Sequence, residues 1–115
     1  KPGLMVSCTC VRVPVFRSHS ESITIETQRE LTPDKARELL AGAPGVRLVD
    51  DPAHNAYPMP ADTSGQDLIY VGRIRRDIST DKHSLTFWCC GDQLRKGAAT
   101  NAVQIAETLV AKKLI

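Results

Sequence analysis

The chain has 115 residues, which is enough for one domain or part of one. Its hydrophobic content of 42%, charged content of 24% and net charge of +2 are ordinary for a soluble globular protein, and they argue against nucleic acid or an anionic membrane as a partner. The sequence has no apolar stretch long enough to span a bilayer and no secretory signal pattern, so we expect a cytoplasmic protein.

In chain order, the first predicted element is a strand over Met5–Val15, where residues rich in Val, Cys and Thr alternate in polarity. Phe16–Ser20 breaks this pattern and predicts a turn. Ser22–Thr27 alternates again and predicts a half-exposed strand. Because the first residue is Lys1 rather than methionine and a strand follows almost at once, we expect the chain to be the tail of a longer polypeptide.

A helix is predicted next, because Thr32 can act as its N-cap and Pro33 suits the first helical position. Glycine and proline at 42–45 end it, and a short strand over Val46–Val49 follows. Asp50–Gln66 contains three prolines and many polar residues and predicts an irregular loop. A loop of this length usually contributes to an active site or a subunit contact.

The second half predicts two strands, Leu68–Ile74 and Ser84–Cys90, joined by a turn over Asp77–His83. Within the first of them, Gly72 allows another backbone to approach closely. A long helix starts near Asp92, and its broad apolar face calls for cover on more than one side. This order of elements predicts an α+β fold, with a mixed, mostly antiparallel sheet backed by helices.

The four cysteines do not have the spacing of a zinc module. Cys8 and Cys10 lie two apart on a predicted strand, and Cys89 and Cys90 are adjacent at a strand end. We expect buried, reduced thiols and no metal site.

Two side chains near the first bend are candidates for chemistry. Arg12 stands between two valines and provides a planar fork for a carboxylate or phosphate. His19, flanked by Ser18 and Ser20, can transfer protons near neutral pH. A lone histidine is often an ordinary core or surface residue, so the hypothesis requires that Arg12 and His19 face one shared hollow.

A second candidate segment leads from a strand into the last helix. Gly91 and Asp92 precede Gln93, and the exposed N–H groups of a first helical turn attract anions or amide carbonyls. Asp92 is also a candidate N-cap, and on the strength of the motif alone a capped helix with a basic first turn and no ligand is the preferred interpretation. The three arginines within Val71–Asp77 are interpreted as a solvated face or a subunit contact.

With these segments in order, the chain resembles the C-terminal part of bacterial aspartate-semialdehyde dehydrogenase. The resemblance runs through CVRVPVFRSHSE, PGVRLVDDP with YPMP, VGRIRRD and GDQLRKGAATNAVQIAE. It implies NADPH-dependent reduction of aspartyl phosphate to aspartate semialdehyde, with release of phosphate, in the biosynthesis of lysine, threonine and methionine. It implies that His19 is the acid/base residue, that Arg12 grips the substrate carboxylate, and that Gln93 lies beside the nicotinamide end of NADP.

The resemblance also implies parts that this sequence lacks: the nucleotide-binding domain that holds most of the NADP, a lysine that binds phosphate, and the nucleophilic cysteine, which follows an asparagine in the family. No cysteine here follows an asparagine. We therefore expect residues 1–90 to form a partial substrate-binding and dimerisation domain, and residues 91–115 a helix returning to that absent domain. A homodimer, an N-terminal NADP-binding segment as partner, and no turnover by this chain alone are further expectations.

Two alternatives stay open at this point. The chain could be a non-catalytic, truncated module that only dimerises or binds. It could also belong to a relative that acts on another phosphorylated acid, such as an N-acetylated glutamyl phosphate. The VRVPV and HSE motifs within Val11–Glu21 argue against this alternative.

Overall fold

The computed structural model describes residues 2–80 and 82–115, so position 81 of the predicted turn over 77–83 lies outside the described residues. The strands are β1 (His19–Glu26), β2 (Val46–Leu48), β3 (Ile69–Arg76) and β4 (Ser84–Gly91). The helices are α1 (Pro33–Ala41), α2 (Pro60–Thr63) and α3 (Thr100–Ala111), with a 3-10 turn at Pro52–His54 and a π-helical turn at Arg95–Ala99.

The four strands form one sheet in the order β1-β4-β3-β2. β1 and β3 both run antiparallel to β4, whereas β2 runs parallel to β3. A parallel neighbour requires a crossover, and the segment carrying α2 supplies it between β2 and β3. The predicted α+β class, with a mixed and mostly antiparallel sheet backed by helices, is confirmed.

Helix α1 begins where the sequence predicts. The Thr32 side chain accepts a hydrogen bond from the backbone N–H of Lys35 at 3.2 Å, and Pro33 occupies the first turn. The helix packs on the sheet through Ala36, which is buried with Ile74 and Leu85 in the main hydrophobic cluster. This contact fixes the helix against β3 and β4 and leaves the opposite end of β4 available for the site described below.

The long loop predicted over 50–66 contains two short helical segments, at 52–54 and in α2. It starts beside Gly72, where a Cβ atom would lie 1.9 Å from the Val49 backbone oxygen and 2.8 Å from Pro58 Cδ. The Val49 N–H donates to the Val71 carbonyl at 2.8 Å, which explains this close approach. The predicted role of Gly72 is therefore confirmed.

The strand predicted over Met5–Val15 is wrong. None of the described strands pairs with this segment, and its apolar side chains, Val11 and Val13 among them, are exposed. Alternating polarity favours a strand, but an extended segment becomes one only beside a hydrogen-bonding neighbour. The turn predicted over Phe16–Ser20 is also too long, because β1 begins at His19.

The last helical segment follows the predicted course and remains uncovered. Its π-helical turn continues directly into α3, and no residue of α3 is buried. Val103, Ile105 and Val110 are each more than half exposed. Among the described residues, no helix combines the length and the apolar character needed to cross a membrane.

Candidate active site

The antiparallel register of β1 and β4 brings two of the three candidate residues together. His19, the first residue of β1, pairs with Gly91, the last residue of β4. The chain continues from Gly91 through Asp92 to Gln93, so Gln93 lies close to the start of β1 although it is 74 positions away in sequence. Strand pairing, and no local motif, creates this neighbourhood.

A direct hydrogen bond joins the two segments. The backbone N–H of Ser18 donates to Gln93 Oε1 at 2.9 Å. Since an N–H group can only donate, this bond fixes the orientation of the Gln93 amide, and its NH₂ group has no hydrogen-bond partner among the described residues. Ser18 is buried and has φ +78°, a left-handed conformation that is uncommon outside glycine, and its hydroxyl lies 3.3 Å from that of Ser64.

The carboxylate of Asp92, the residue before Gln93, is fully buried. It accepts hydrogen bonds from the backbone N–H groups of Gly65 at 2.7 Å and Leu94 at 2.9 Å. It also forms an ion pair with Arg17, whose Nε lies 2.8 Å away. Burial alone would raise the pKa of Asp92, but the backbone donors and the Arg17 cation outweigh it and lower that pKa, so the side chain is a carboxylate at neutral pH.

His19 and Gln93 line one hollow of about 120 Å³ at this end of the sheet. A complete binding site for a ligand of drug size usually exceeds about 300 Å³, so this hollow can take only one end of a large ligand or a small acid. Glu21, two residues along β1 from His19, also contributes to the wall. The other lining residues are Ile69, Cys89, Cys90, Gly91, Asp92 and Gly97.

Arg12 does not line this hollow. It is exposed in the segment before β1, and the hollow that Arg12 and His19 were required to share is not formed in this structure. The physical reason is the missing strand: without strand pairing over 5–15, no contact within residues 2–80 and 82–115 holds the Arg12 guanidinium beside His19. The geometric support for His19 therefore comes from Gln93 and not from Arg12. His19 itself lies at the beginning of a strand and not in a turn.

The cysteines differ in exposure. Cys8 and Cys10 are exposed, which contradicts the expectation of buried thiols, whereas Cys90 is buried and Cys89 is half-buried. Burial, followed by the negative charge of Glu21, raises the pKa of Cys89 to about 11. Burial also raises the pKa of Cys90. A nucleophilic cysteine needs a lowered pKa, so neither residue is suited to attack a substrate at neutral pH.

Thiol labelling checks this assignment. Iodoacetamide at pH 8 is expected to modify Cys8 and Cys10 in the folded chain and to spare Cys89 and Cys90, as read by mass spectrometry of tryptic peptides. With a pKa of about 11, only about one Cys89 in a thousand is a thiolate at pH 8. In urea all four should react. Rapid labelling of Cys89 in the folded chain would contradict the assignment.

The sequence does not reveal how two further residues, Asp92 and Glu21, contribute to the hollow beside His19. The sequence predicts Asp92 only as a helix cap, and its carboxylate does accept from the N–H groups of Leu94 and Arg95. Its ion pair with Arg17 joins residues 75 positions apart, and no rule of sequence spacing predicts such a pair. Glu21 carried a weak signal, because residues two apart on a strand share a face with His19.

Comparison with known proteins decides the family. The protein-family model described as "Semialdehyde dehydrogenase, dimerisation domain" matches residues 1–96. The chain therefore belongs to the semialdehyde dehydrogenase family. The resemblance to the C-terminal part of bacterial aspartate-semialdehyde dehydrogenase is confirmed by curated relatives and by solved structures.

Two curated relatives illustrate the match. The aspartate-semialdehyde dehydrogenase of Aquifex aeolicus is 54% identical over 113 residues, which cover 98% of this chain and 33% of the relative. That of Campylobacter jejuni is 56% identical over 105 residues, covering 91% of this chain and 30% of the relative. The chain spans about a third of the length of the curated relatives it matches.

The fold is shared with solved members of the family. Aspartate semialdehyde dehydrogenase II from Vibrio cholerae, in a crystal structure described as complexed with ASA, superposes with a TM-score of 0.81 at 41% identity, covering 90% of this chain and 30% of that one. A probable aspartate-semialdehyde dehydrogenase from Pseudomonas aeruginosa gives a TM-score of 0.73 at 33% identity, covering 84% of this chain and 28% of that one.

Proposed function

We propose that this chain supplies the acid/base part of an NADP-dependent aspartate-semialdehyde dehydrogenase, which converts aspartyl phosphate to aspartate semialdehyde and phosphate in lysine, threonine and methionine biosynthesis. The observation that carries the proposal is the meeting of His19 and Gln93 at one hollow, in a chain of this family. A proton carrier and an amide with unused donors are what proton transfer beside a bound cofactor requires.

Each candidate residue has a defined task in this proposal. His19 is the proton carrier: it is exposed at the wall of the hollow, within reach of a small acid lying there. Gln93 uses its oxygen to hold Ser18 and donates from its NH₂ group to the cofactor. Arg12 grips the substrate carboxylate, a role that is supported by the family resemblance alone. Glu21 and Cys89 complete the wall without entering the chemistry.

The residues present fit one end of NADP and no more. The hollow is below the size of a complete ligand site, and the free NH₂ group of Gln93 suits a polar end group such as a carboxamide. NADPH supplies the hydride for the reduction when it is bound. Most of the cofactor is held by an N-terminal NADP-binding segment outside these 115 residues, and α3, with its exposed apolar side chains, packs against that segment.

The nucleophilic thiolate also comes from outside the chain in this proposal. Cys89 and Cys90 have raised pKa values, and Cys8 and Cys10 lie in the segment before β1. Residues 1–90 form the substrate-binding and dimerisation part, residues 91–115 lead back to the NADP-binding segment, and the enzyme works as a cytoplasmic homodimer. The dimer is supported by the name of the matching domain model.

A chimera tests the proposal. The matched third of the Aquifex aeolicus relative is replaced by this chain, and NADP-dependent oxidation of aspartate semialdehyde in the presence of phosphate is followed at 340 nm. We expect the chimera to turn over this substrate and the isolated 115-residue chain to show no rate above background. An inactive but folded chimera would favour a non-catalytic binding module. Activity only on an N-acetylated glutamate semialdehyde would point to the other substrate class.

The isolated chain provides a second check. A measurable NADP-dependent rate from the purified 115 residues, lost on His19→Ala, would overturn the proposal that the nucleophile comes from outside them. The same assay with Cys8→Ser and Cys10→Ser would show whether either exposed thiol is responsible.

A further inference from the structure

Three segments that are distant in sequence meet at the Asp92 carboxylate. Its Oδ1 accepts from the N–H groups of Leu94 at 2.9 Å and Arg95 at 3.3 Å, which caps the last helical segment. Its Oδ2 accepts from the N–H of Gly65 at 2.7 Å and lies 2.8 Å from Arg17 Nε. One oxygen therefore caps the helix, while the other ties it to two other parts of the chain.

The Arg17–Asp92 ion pair joins two segments that each lead directly to the site. Arg17 comes immediately before Ser18 and His19, and Gln93 comes immediately after Asp92. The hydrogen bond from Ser18 N–H to Gln93 Oε1 closes the connection on the other side. Ser18 has a left-handed backbone, which a residue other than glycine keeps only when its surroundings hold it there.

The loop that carries Gly65 also contacts the backbone at Arg17 and Ser18. The Ser64 hydroxyl oxygen lies 3.3 Å from the Ser18 hydroxyl oxygen, for which it can act as acceptor, and 3.4 Å from the Arg17 carbonyl oxygen, while the Pro60 carbonyl at 3.0 Å is the nearer acceptor of its proton. The Gly65 N–H is anchored on Asp92. The backbone just before His19 is therefore held between the helix start and this loop, and Asp92 contacts both.

We propose that Asp92 is a positioning residue: through Arg17 and Gly65 its Oδ2 fixes the backbone at Ser18 and so sets His19 beside Gln93 at the hollow. The inference rests on the proposed function for the roles of His19 and Gln93. The placement itself can be measured without turnover. The competing explanation is that Asp92 only caps the helix and stabilises the fold.

Asp92→Asn separates the two explanations. Asparagine is a good N-cap, so its oxygen keeps the bonds from Leu94 and Arg95. Its NH₂ group then faces the Gly65 N–H and the Arg17 guanidinium, which are also donors, and those two contacts are lost. In NMR spectra of the full chain, we expect the Ser18 amide to exchange about tenfold faster. The native-state signals of the His19 ring and the Gln93 side-chain amide should shift.

Asp67→Asn is the matched control. Asp67 pairs with Arg95 at 2.7 Å and accepts from Thr100 at 2.8 Å on the same helical segment, but it does not line the hollow. It should leave Ser18 exchange and the signals of His19 and Gln93 unchanged. The proposal is overturned if Asp92→Asn merely lowers the unfolding midpoint while these native-state signals stay at their wild-type values, or if Asp67→Asn moves them equally.

Arg17→Met keeps the test decisive should Asp92→Asn fail to fold. It retains an apolar stem and leaves the helix cap and the Gly65 bond intact. We expect the same changes at Ser18, His19 and Gln93, smaller than for Asp92→Asn, and unchanged signals would overturn the proposal.

In the chimera, Asp92→Asn should lower kcat more than it raises KM. An inactive wild-type chimera together with intact NMR responses would refute the proposed function and leave the positioning role standing.

Discussion

His19→Asn in the chimera is expected to lower kcat by roughly 10²–10⁴-fold, the usual contribution of a positioned acid/base group. Asparagine keeps a similar shape and can donate and accept hydrogen bonds, but it does not take up a proton near neutral pH. His19 is exposed, so the fold should survive the change. Steady-state kinetics at saturating substrate and circular dichroism together measure the two effects.

His54→Asn is the matched control for this prediction. His54 is an exposed histidine on the 3-10 turn, where its Nδ1 lies 2.7 Å from Asp51 Oδ2, and it does not line the hollow. Its replacement should leave kcat within about twofold of the unmodified chimera, as expected for a surface substitution. A full rate in His19→Asn, or an equal loss in His54→Asn, would remove His19 from the acid/base role.

Gly72→Ala is expected to destabilise the chain by about 3 kcal/mol or more, the upper range for overpacking a well-filled interior. The new Cβ would lie 1.9 Å from the Val49 backbone oxygen, and neither backbone can withdraw without breaking the β2–β3 contact. Since whole domains are stable by only about 5–15 kcal/mol, a loss of this size should lower the urea midpoint substantially. Urea titration followed by Trp88 fluorescence reports this, because the Trp88 indole donates to Pro58 beside Gly72.

Gly42→Ala makes the same chemical change where there is room. A Cβ at Gly42 would meet only the carbonyls of Glu38 and Leu39, both at 3.9 Å, and the backbone there has a negative φ. Its unfolding midpoint should stay close to that of the wild type. Equal midpoints for Gly72→Ala and Gly42→Ala would show that the close approach of Val49 to β3 is absent in solution.

Local signals predicted most of the fold. Thr32 and Pro33 mark the start of α1 because capping depends on a few adjacent residues, and Gly72 marks a close contact because only glycine fits there. The segment Met5–Val15 has an equally strong strand pattern and yet is not a strand. Pairing depends on a neighbour that periodicity does not reveal, so the pattern alone was insufficient.

The sequence predicts which residues belong to the candidate site better than it predicts how they are arranged. His19 and Gln93 could be chosen by residue type and by resemblance, but their meeting depends on the register that sets His19 opposite Gly91. Asp92 could be identified as a cap from its place before a helix. Its second oxygen and its contact with Arg17 required the folded structure, since nothing in the sequence links positions 17 and 92.

The outer position of β1 has a consequence for how the site is lost. Among the strands that the structure describes, β1 pairs only with β4, whereas β3 lies between two strands. Peeling of β1 is therefore a local opening that costs less than global unfolding, and it separates His19 from Gln93 while β2, β3 and β4 stay together. Mild denaturant should abolish activity in the chimera before the fluorescence of the sheet changes.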